Sequence, residues 1–135
     1  MANQIFVNFP VKDLKKSIEY FKQLGYTFNP MFTDENATCM IIDENIFAML
    51  LTEKRFSHFT KKPIADAFNT TEVLVALSLN SNEEVDAIVN KGLKAGGKEP
   101  RPAEDMGFMY NRALEDIDGH IWEYFYMEVT KFPQQ

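Results

Sequence analysis

A chain of 135 residues with 45% hydrophobic content is the size of one domain. At about 150 residues a domain buries roughly 70% of its unfolded surface, enough for a core without staples. Fourteen basic against twenty acidic residues give a net charge of −6, which argues against nucleic acid or an anionic membrane as partner and points to a small organic molecule.

Cys39 is alone, so no internal disulfide can form. The opening Met-Ala-Asn-Gln has neither the basic segment nor the apolar run of a secretion signal. No apolar stretch approaches the ~20 residues of a transmembrane helix. A cytoplasmic location is expected.

Ile5–Val11 reads as a strand, with Ile5, Val7, Phe9 and Val11 on one face and Phe6, Asn8 and Pro10 on the other. Asp13 is placed to cap a helix in which Leu14, Ile18, Phe21 and Leu24 recur at helical spacing, and Gly25 supplies the stop. After Tyr26 and Phe28, Cys39–Ile42 and Ile46–Leu51 form two strands across the polar loop Asp43-Glu44-Asn45. From Thr52 to Thr71 the periodicity fails, and Lys61-Lys62-Pro63 interrupts it further, so this stretch is a linker.

Val73–Leu79 repeats the opening strand at an offset of 68 residues from Ile5. Val73, Val75, Leu77 and Leu79 make its apolar face, and Leu74, Ala76 and Ser78 the other. Ser81 with Glu84 makes a capping box, Val85, Ile88, Val89 and Leu93 give a helical stripe, and Gly96-Gly97 ends it. Beyond the Pro100–Pro102 loop, Phe108–Leu114 and Ile121–Val129 form a second hairpin. Strand, cap, helix and glycine thus occur twice in the same order, which is the mark of an internal duplication. The expected fold is α+β, with tandem β-α-β-β-β modules at about 1–60 and 70–131 forming a curved, cleft-bearing sheet within a single domain. If each helix covers the more apolar face of its sheet, Ile5, Val7, Phe9, Val73, Val75 and Leu77 pack beneath helices. Phe6, Asn8, Leu74, Ala76 and Ser78 then look into the concavity.

The stretch Leu114–Met127 carries the strongest signal. Asp116-Ile117-Asp118-Gly119 has turn chemistry, because Asp side chains bond nearby N–H groups and Gly tolerates positive φ. In the strand that follows, Ile121, Glu123, Phe125 and Met127 share one face, while His120, Trp122, Tyr124 and Tyr126 share the other. A carboxylate among apolar residues needs a donor, a cation, a metal or a water-filled cleft, so Glu123 is the candidate catalytic residue. Trp122, on the opposite face, is a core residue.

The run Asp-x-Asp-Gly-His-x-Trp-Glu over residues 116–123 resembles the signature of the vicinal oxygen chelate superfamily, which includes glyoxalase I, extradiol dioxygenases, fosfomycin-resistance proteins and bleomycin-binding proteins. Phe6–Leu14 with Tyr20-Phe21, Thr60–Asp66, and Gly107–Tyr110 with Arg112 extend the likeness along nearly the whole chain. Together they resemble the branch labelled predicted lactoylglutathione lyases.

The resemblance implies metal ligands at four cleft positions, one on the first strand and one on a late strand of each module. They fall at Phe6, at Met49 or Leu50, at Leu74 and at Glu123, and only Glu123 is a ligand type. Catalytic zinc sites generally use three protein ligands, so no complete metal site and no cofactor are expected, with a divalent metal as the alternative. A dioxygenase needs two His and one carboxylate on Fe(II), which cannot be assembled here. His120 is read as a residue bracing the turn, and His58, between Phe56 and Phe59, as an anchor of a loop that could fold over the cleft. Cys39 is read as a small buried hydrophobe.

Tyr110 and Arg112 share a face with Phe108 and Leu114. Arg112 is open to three readings: a partner for Glu123, a receptor for an anionic ligand, or an edge-strand residue in solvent.

Two functions follow. The first is a small-molecule-binding protein whose cleft uses Phe6, Asn8, Leu74, Tyr110, Arg112, Phe125 and Glu123. The second is a lyase or isomerase of the glyoxalase I type, with Glu123 as metal ligand or base. A homodimer is expected, both from the resemblance and because the aromatic run Trp122–Tyr126 leaves apolar surface to cover.

Overall fold

The computed structural model describes residues 1–128 and Thr130. The chain divides into two compact units, Met1–Ala65 and Asp66–Gln135. The first contains β1 (Ile5–Val11), α1 (Leu14–Gln23), β2 (Thr27–Asn29), a 3-10 turn at Pro30–Phe32, β3 (Ala37–Asp43), β4 (Ile46–Thr52) and the short α2 (Glu53–Phe56). Its sheet has the order β1-β4-β3-β2, with β1 parallel to β4 and the other pairs antiparallel.

The second unit contains β5 (Leu74–Ser78), α3 (Asn82–Lys94), β6 (Glu104–Asp105), β7 (Met109–Glu115) and β8 (Ile121–Met127). Its sheet repeats the arrangement as β5-β8-β7-β6, again with one parallel pair. The fold is the α+β class expected, with two β-α-β-β-β modules. Val129, assigned from sequence to the end of β8, lies outside the described residues.

The helix starts form where local chemistry places them. Asp13 accepts from the Lys16 N–H at 3.2 Å, and Gly25 closes α1 at φ 103°. Ser81 accepts from the Glu84 N–H at 3.1 Å. The Glu84 carboxylate in return takes the N–H of Asn80 at 2.9 Å, one residue earlier than in the usual reciprocal box.

One face of each sheet is covered by its long helix. In the first unit Phe9, Val11, Met40, Ala48 and Leu50 are buried with Tyr20 and Phe21 of α1. In the second, Val85 and Val89 of α3 are buried with Leu114, Trp122 and Tyr124. Ile5 and Val73, expected beneath the helices, are instead exposed (54% and 48%). Ile5 opens β1 and Val73 precedes β5, so the residues that pack well lie further along each strand. Among the described residues no helix is long and apolar enough to cross a membrane.

Candidate functional site

Strand register decides which side chains share a face. In β1 and β4, Phe6 lies beside Phe47 and Asn8 beside Met49, on the side away from α1. The Phe6 and Phe47 rings stack with centroids 4.7 Å apart and planes 13° from parallel. Where the sequence left Met49 and Leu50 open, Met49 shares the Phe6 face, and Leu50 is buried on the helix side at 1% exposure.

The chain leaving β4 then folds over this face. Thr52 caps α2 by accepting from the Arg55 N–H at 3.2 Å. Successive turns through His58 and Phe59 continue the winding, with the Phe59 N–H donating to the Phe56 carbonyl at 3.0 Å. Phe56 and Phe59, three residues apart, thereby reach the same side. They line a cleft of about 590 Å³ together with Ile5, Phe6, Asn8, Leu51 and their neighbours Val7 and Thr60. Most of these lining side chains are apolar, and Asn8 and Thr60 supply polar groups. The volume falls in the roughly 300–1,000 Å³ range of small-molecule sites.

Of the residues marked from sequence, Phe6 and Asn8 meet here. His58 lies in the loop but is exposed, and the aromatic residues on either side of it form the wall instead. Cys39 is buried beside Met49, and desolvation pushes its thiol pKa up.

In the second unit Leu74, Ala76 and Ser78 share a face with Ile121, Glu123 and Phe125, and with Asn111 and Ala113 of β7. Glu123 has a partner. The Arg101 guanidinium donates to its Oε2 at 2.8 Å, and both side chains remain partly exposed. Arg101 comes from the Pro100–Pro102 loop, and Ala113, the β7 residue paired with Glu123, presents only a methyl group on that face. Sequence reasoning passed over Arg101 because the loop has no periodicity. Its signal was a lone cation between two prolines. The Oδ1 atom of Asn111, on this same face, is buried with no hydrogen-bond partner among the described residues.

Tyr110 and Arg112 point the other way. Because Glu123 faces Ala113, Arg112 must project from the opposite side of β7, toward α3, so it neither pairs with Glu123 nor lies in solvent. β6, rather than β7, forms the edge of this sheet.

Arg112 Nε and Nη2 grip the two oxygens of Glu99 at 2.9 and 3.0 Å, and Nη1 donates to Asp86 Oδ1 at 3.0 Å and Asn90 Oδ1 at 3.1 Å. The Glu99 contact, with help from Asp86, holds the guanidinium further into its charged form against the opposing effect of burial. Tyr110 donates to the same Asp86 oxygen at 2.6 Å, and that bond raises the phenol pKa. Both residues also border a depression of about 510 Å³ with Glu99, Arg101 and Pro102. These bonds use nearly all of the Arg112 donors within the protein.

The metal-ligand positions implied by the resemblance hold Phe6, Met49, Leu74 and an Arg-paired Glu123. These residues do not fit a metal ion. Among the described residues no group of three His, Cys, Asp or Glu side chains converges to hold one.

The signature turn is structural. Asp116 takes the N–H groups of Asp118 and His120 on Oδ1, at 2.9 and 3.0 Å, and the Trp122 indole N–H on Oδ2 at 2.9 Å. Gly119 adopts φ 87°, and a Cβ there would meet backbone atoms of Ala67 and Phe68 at 2.9 Å. Trp122 is 1% exposed, a core residue as expected.

A family model described as bleomycin resistance protein-like N-terminal matches residues 4–42. None of the curated proteins matches the sequence. Among solved structures, a hypothetical protein from S. aureus is 29% identical with a TM-score of 0.78, the match covering 93% of this chain and 95% of that one. A glyoxalase/bleomycin resistance protein/dioxygenase family enzyme from Burkholderia phytofirmans superposes at 0.76 with 13% identity, over 93% of this chain and 99% of its own. A fosfomycin resistance protein from Mesorhizobium loti does so at 0.69 with 13% identity, over 97% of both chains. At 13% identity the likeness is one of fold. With that likeness over nearly its whole length, the chain has the fold of these glyoxalase/bleomycin resistance proteins, and residues 4–42 are similar to the bleomycin resistance protein-like N-terminal family.

Proposed function

We propose that this protein binds a small organic molecule in the apolar cleft of its first module, and that it does so without a metal held by protein ligands. The observation that carries the proposal is the cleft itself. Phe6, held by its stack on Phe47, lines it together with Phe56 and Phe59, and Asn8 is its one amide side chain. Apolar walls with a few polar groups suit recognition of an organic ligand. In the second module Glu123 is held by Arg101, so the carboxylate that the superfamily resemblance marks already has a cation. Leu74 and Phe125, on the Glu123 face, are proposed to contribute apolar contacts to a ligand, and the protein is proposed to act as a homodimer.

Titration of the isotope-labelled protein with a panel of small aromatic compounds, followed by amide NMR, tests the cleft. Shifts should concentrate at Ile5–Asn8 and Phe56–Thr60, and Phe6→Ala should weaken binding about tenfold or more, as loss of a buried aromatic contact predicts. A panel that leaves those residues unmoved would sink the reading. The competing function is a metal-dependent lyase of the lactoylglutathione lyase type. Stoichiometric zinc, nickel or iron that survives dialysis against chelator, and is lost in Glu123→Gln, would overturn the metal-free binding reading and restore the metalloenzyme one.

A further inference from the structure

The segment that closes the cleft has a charge opposite to that of the protein. The chain as a whole carries −6, yet between Glu53 and Asp66 there is no acidic residue, while Lys54, Arg55, Lys61 and Lys62 contribute four positive charges. None of the four forms an ion pair among the described residues, and all are exposed. Arg55 sits with its guanidinium carbon 5.3 Å from the centroid of Phe59, a wall of the cleft. Lys61 and Lys62 directly follow Thr60, another lining residue, and the Lys62 N–H donates to the Thr60 hydroxyl at 3.1 Å. An apolar slot lined by Phe6, Phe56 and Phe59 is therefore bordered by a segment whose cations form no ion pair among the described residues. In an acidic protein such a segment concentrates an anion at the mouth while the slot takes an apolar body.

We infer that the ligand of this cleft is an aromatic anion, a flat apolar ring system bearing a carboxylate or a comparable acidic group, with the ring against Phe6 and the charge toward Arg55, Lys61 and Lys62. This rests on the small-molecule reading above and adds the chemical class. The cations are exposed, so their effect is modest and falls with salt.

The test uses three probes of one shape on the full chain, 2-naphthoate, 2-naphthalenemethanol and 2-naphthylmethylammonium, each followed by amide NMR. 2-Naphthoate should bind about three- to fivefold more tightly than the alcohol at low salt, the range of a partly exposed charge contact, with the ammonium weakest. The ratio of naphthoate to alcohol affinity should approach one in Lys61→Ser/Lys62→Ser, and also in the unmodified protein at high salt. Equal affinities for the three probes with shifts at the cleft, or tightest binding of the ammonium, would overturn the anionic class and leave the cleft standing. Absence of binding by all three, or shifts confined to other residues, would instead overturn the small-molecule reading itself.

Discussion

The Asp116 carboxylate collects three donors from the turn and the strand after it, and it is only 4% exposed. Burial pushes its pKa up to about 6, opposed by His120 and by the Trp122 and Asp118 N–H groups. A folded value above the unfolded value means that the native state holds this proton more tightly. The stabilising contribution is therefore complete below about pH 4 and is lost as the pH rises through about 6. Asp116→Asn does not titrate. The stability of the natural protein relative to this variant should fall by roughly 3 kcal/mol between pH 4 and pH 7, the linkage value of a shift of about two units. Urea unfolding of both proteins across that range measures it, and a difference that stays constant with pH would contradict the assignment. Asp116 was readable in the sequence as a turn residue and Trp122 as core. The bond joining them was not, because it depends on how the turn at Gly119 folds back.

Helix α3 lies so close to β7 that Gly92 has no room for a side chain. A Cβ there would come within 2.3 Å of a Leu114 methyl, and Leu114 is fully buried. Alanine would gain helix propensity of about 1 kcal/mol over glycine. Overpacking a filled core costs typically 1–3 kcal/mol, and a contact this short belongs at the upper end. Gly92→Ala should therefore lower stability by about 1–2 kcal/mol despite the better helix former. Adding Leu114→Val, which shortens the obstructing side chain, should restore part of the loss, because the two sites are in contact. Thermal melts of the single and double variants decide it, and a more stable Gly92→Ala protein would refute the packing argument. At this scale the sequence was informative wherever the cause was local. Asp13, Ser81 and the helix-stop glycines each act within a few residues, and the alternation along β1, β5 and β8 fixed which residues share a face. What escaped was pairing across strands. Arg112 was assigned a face by its own strand, but whether that face meets Glu123 depends on the register of β7 with β8. Its partners Asp86, Asn90 and Glu99 lie 13 to 26 residues away. The cleft wall of Phe56 and Phe59 was hidden for a related reason: a four-residue helix is too short to show a period.

Each module exposes apolar side chains at the start of its first strand. Ile5 and Phe6 open β1, Val73 precedes β5 and Leu74 opens it, each between 46% and 54% exposed. Both strands are also the outer members of their sheets in the order β1-β4-β3-β2 and β5-β8-β7-β6. The aromatic run expected to need covering is mostly satisfied within the chain, since Trp122 and Tyr124 are buried at 1% and 0%. The argument for association therefore moves from β8 to the first strands. An outer strand with apolar side chains exposed at its start is a template for a second chain, and proteins usually blunt such edges with charge. Here the prediction is that a second copy covers Val73 and the edge of β5, leaving Ile5 and Phe6 to the cleft. Light scattering at micromolar concentration should give twice the 15.6 kDa chain mass. Leu74→Lys places a charge at the exposed start of β5, away from the buried core, and should shift the population toward monomer while leaving the unfolding transition cooperative. A natural chain that remains monomeric at that concentration would show that this edge is covered, if at all, by something other than a copy of itself.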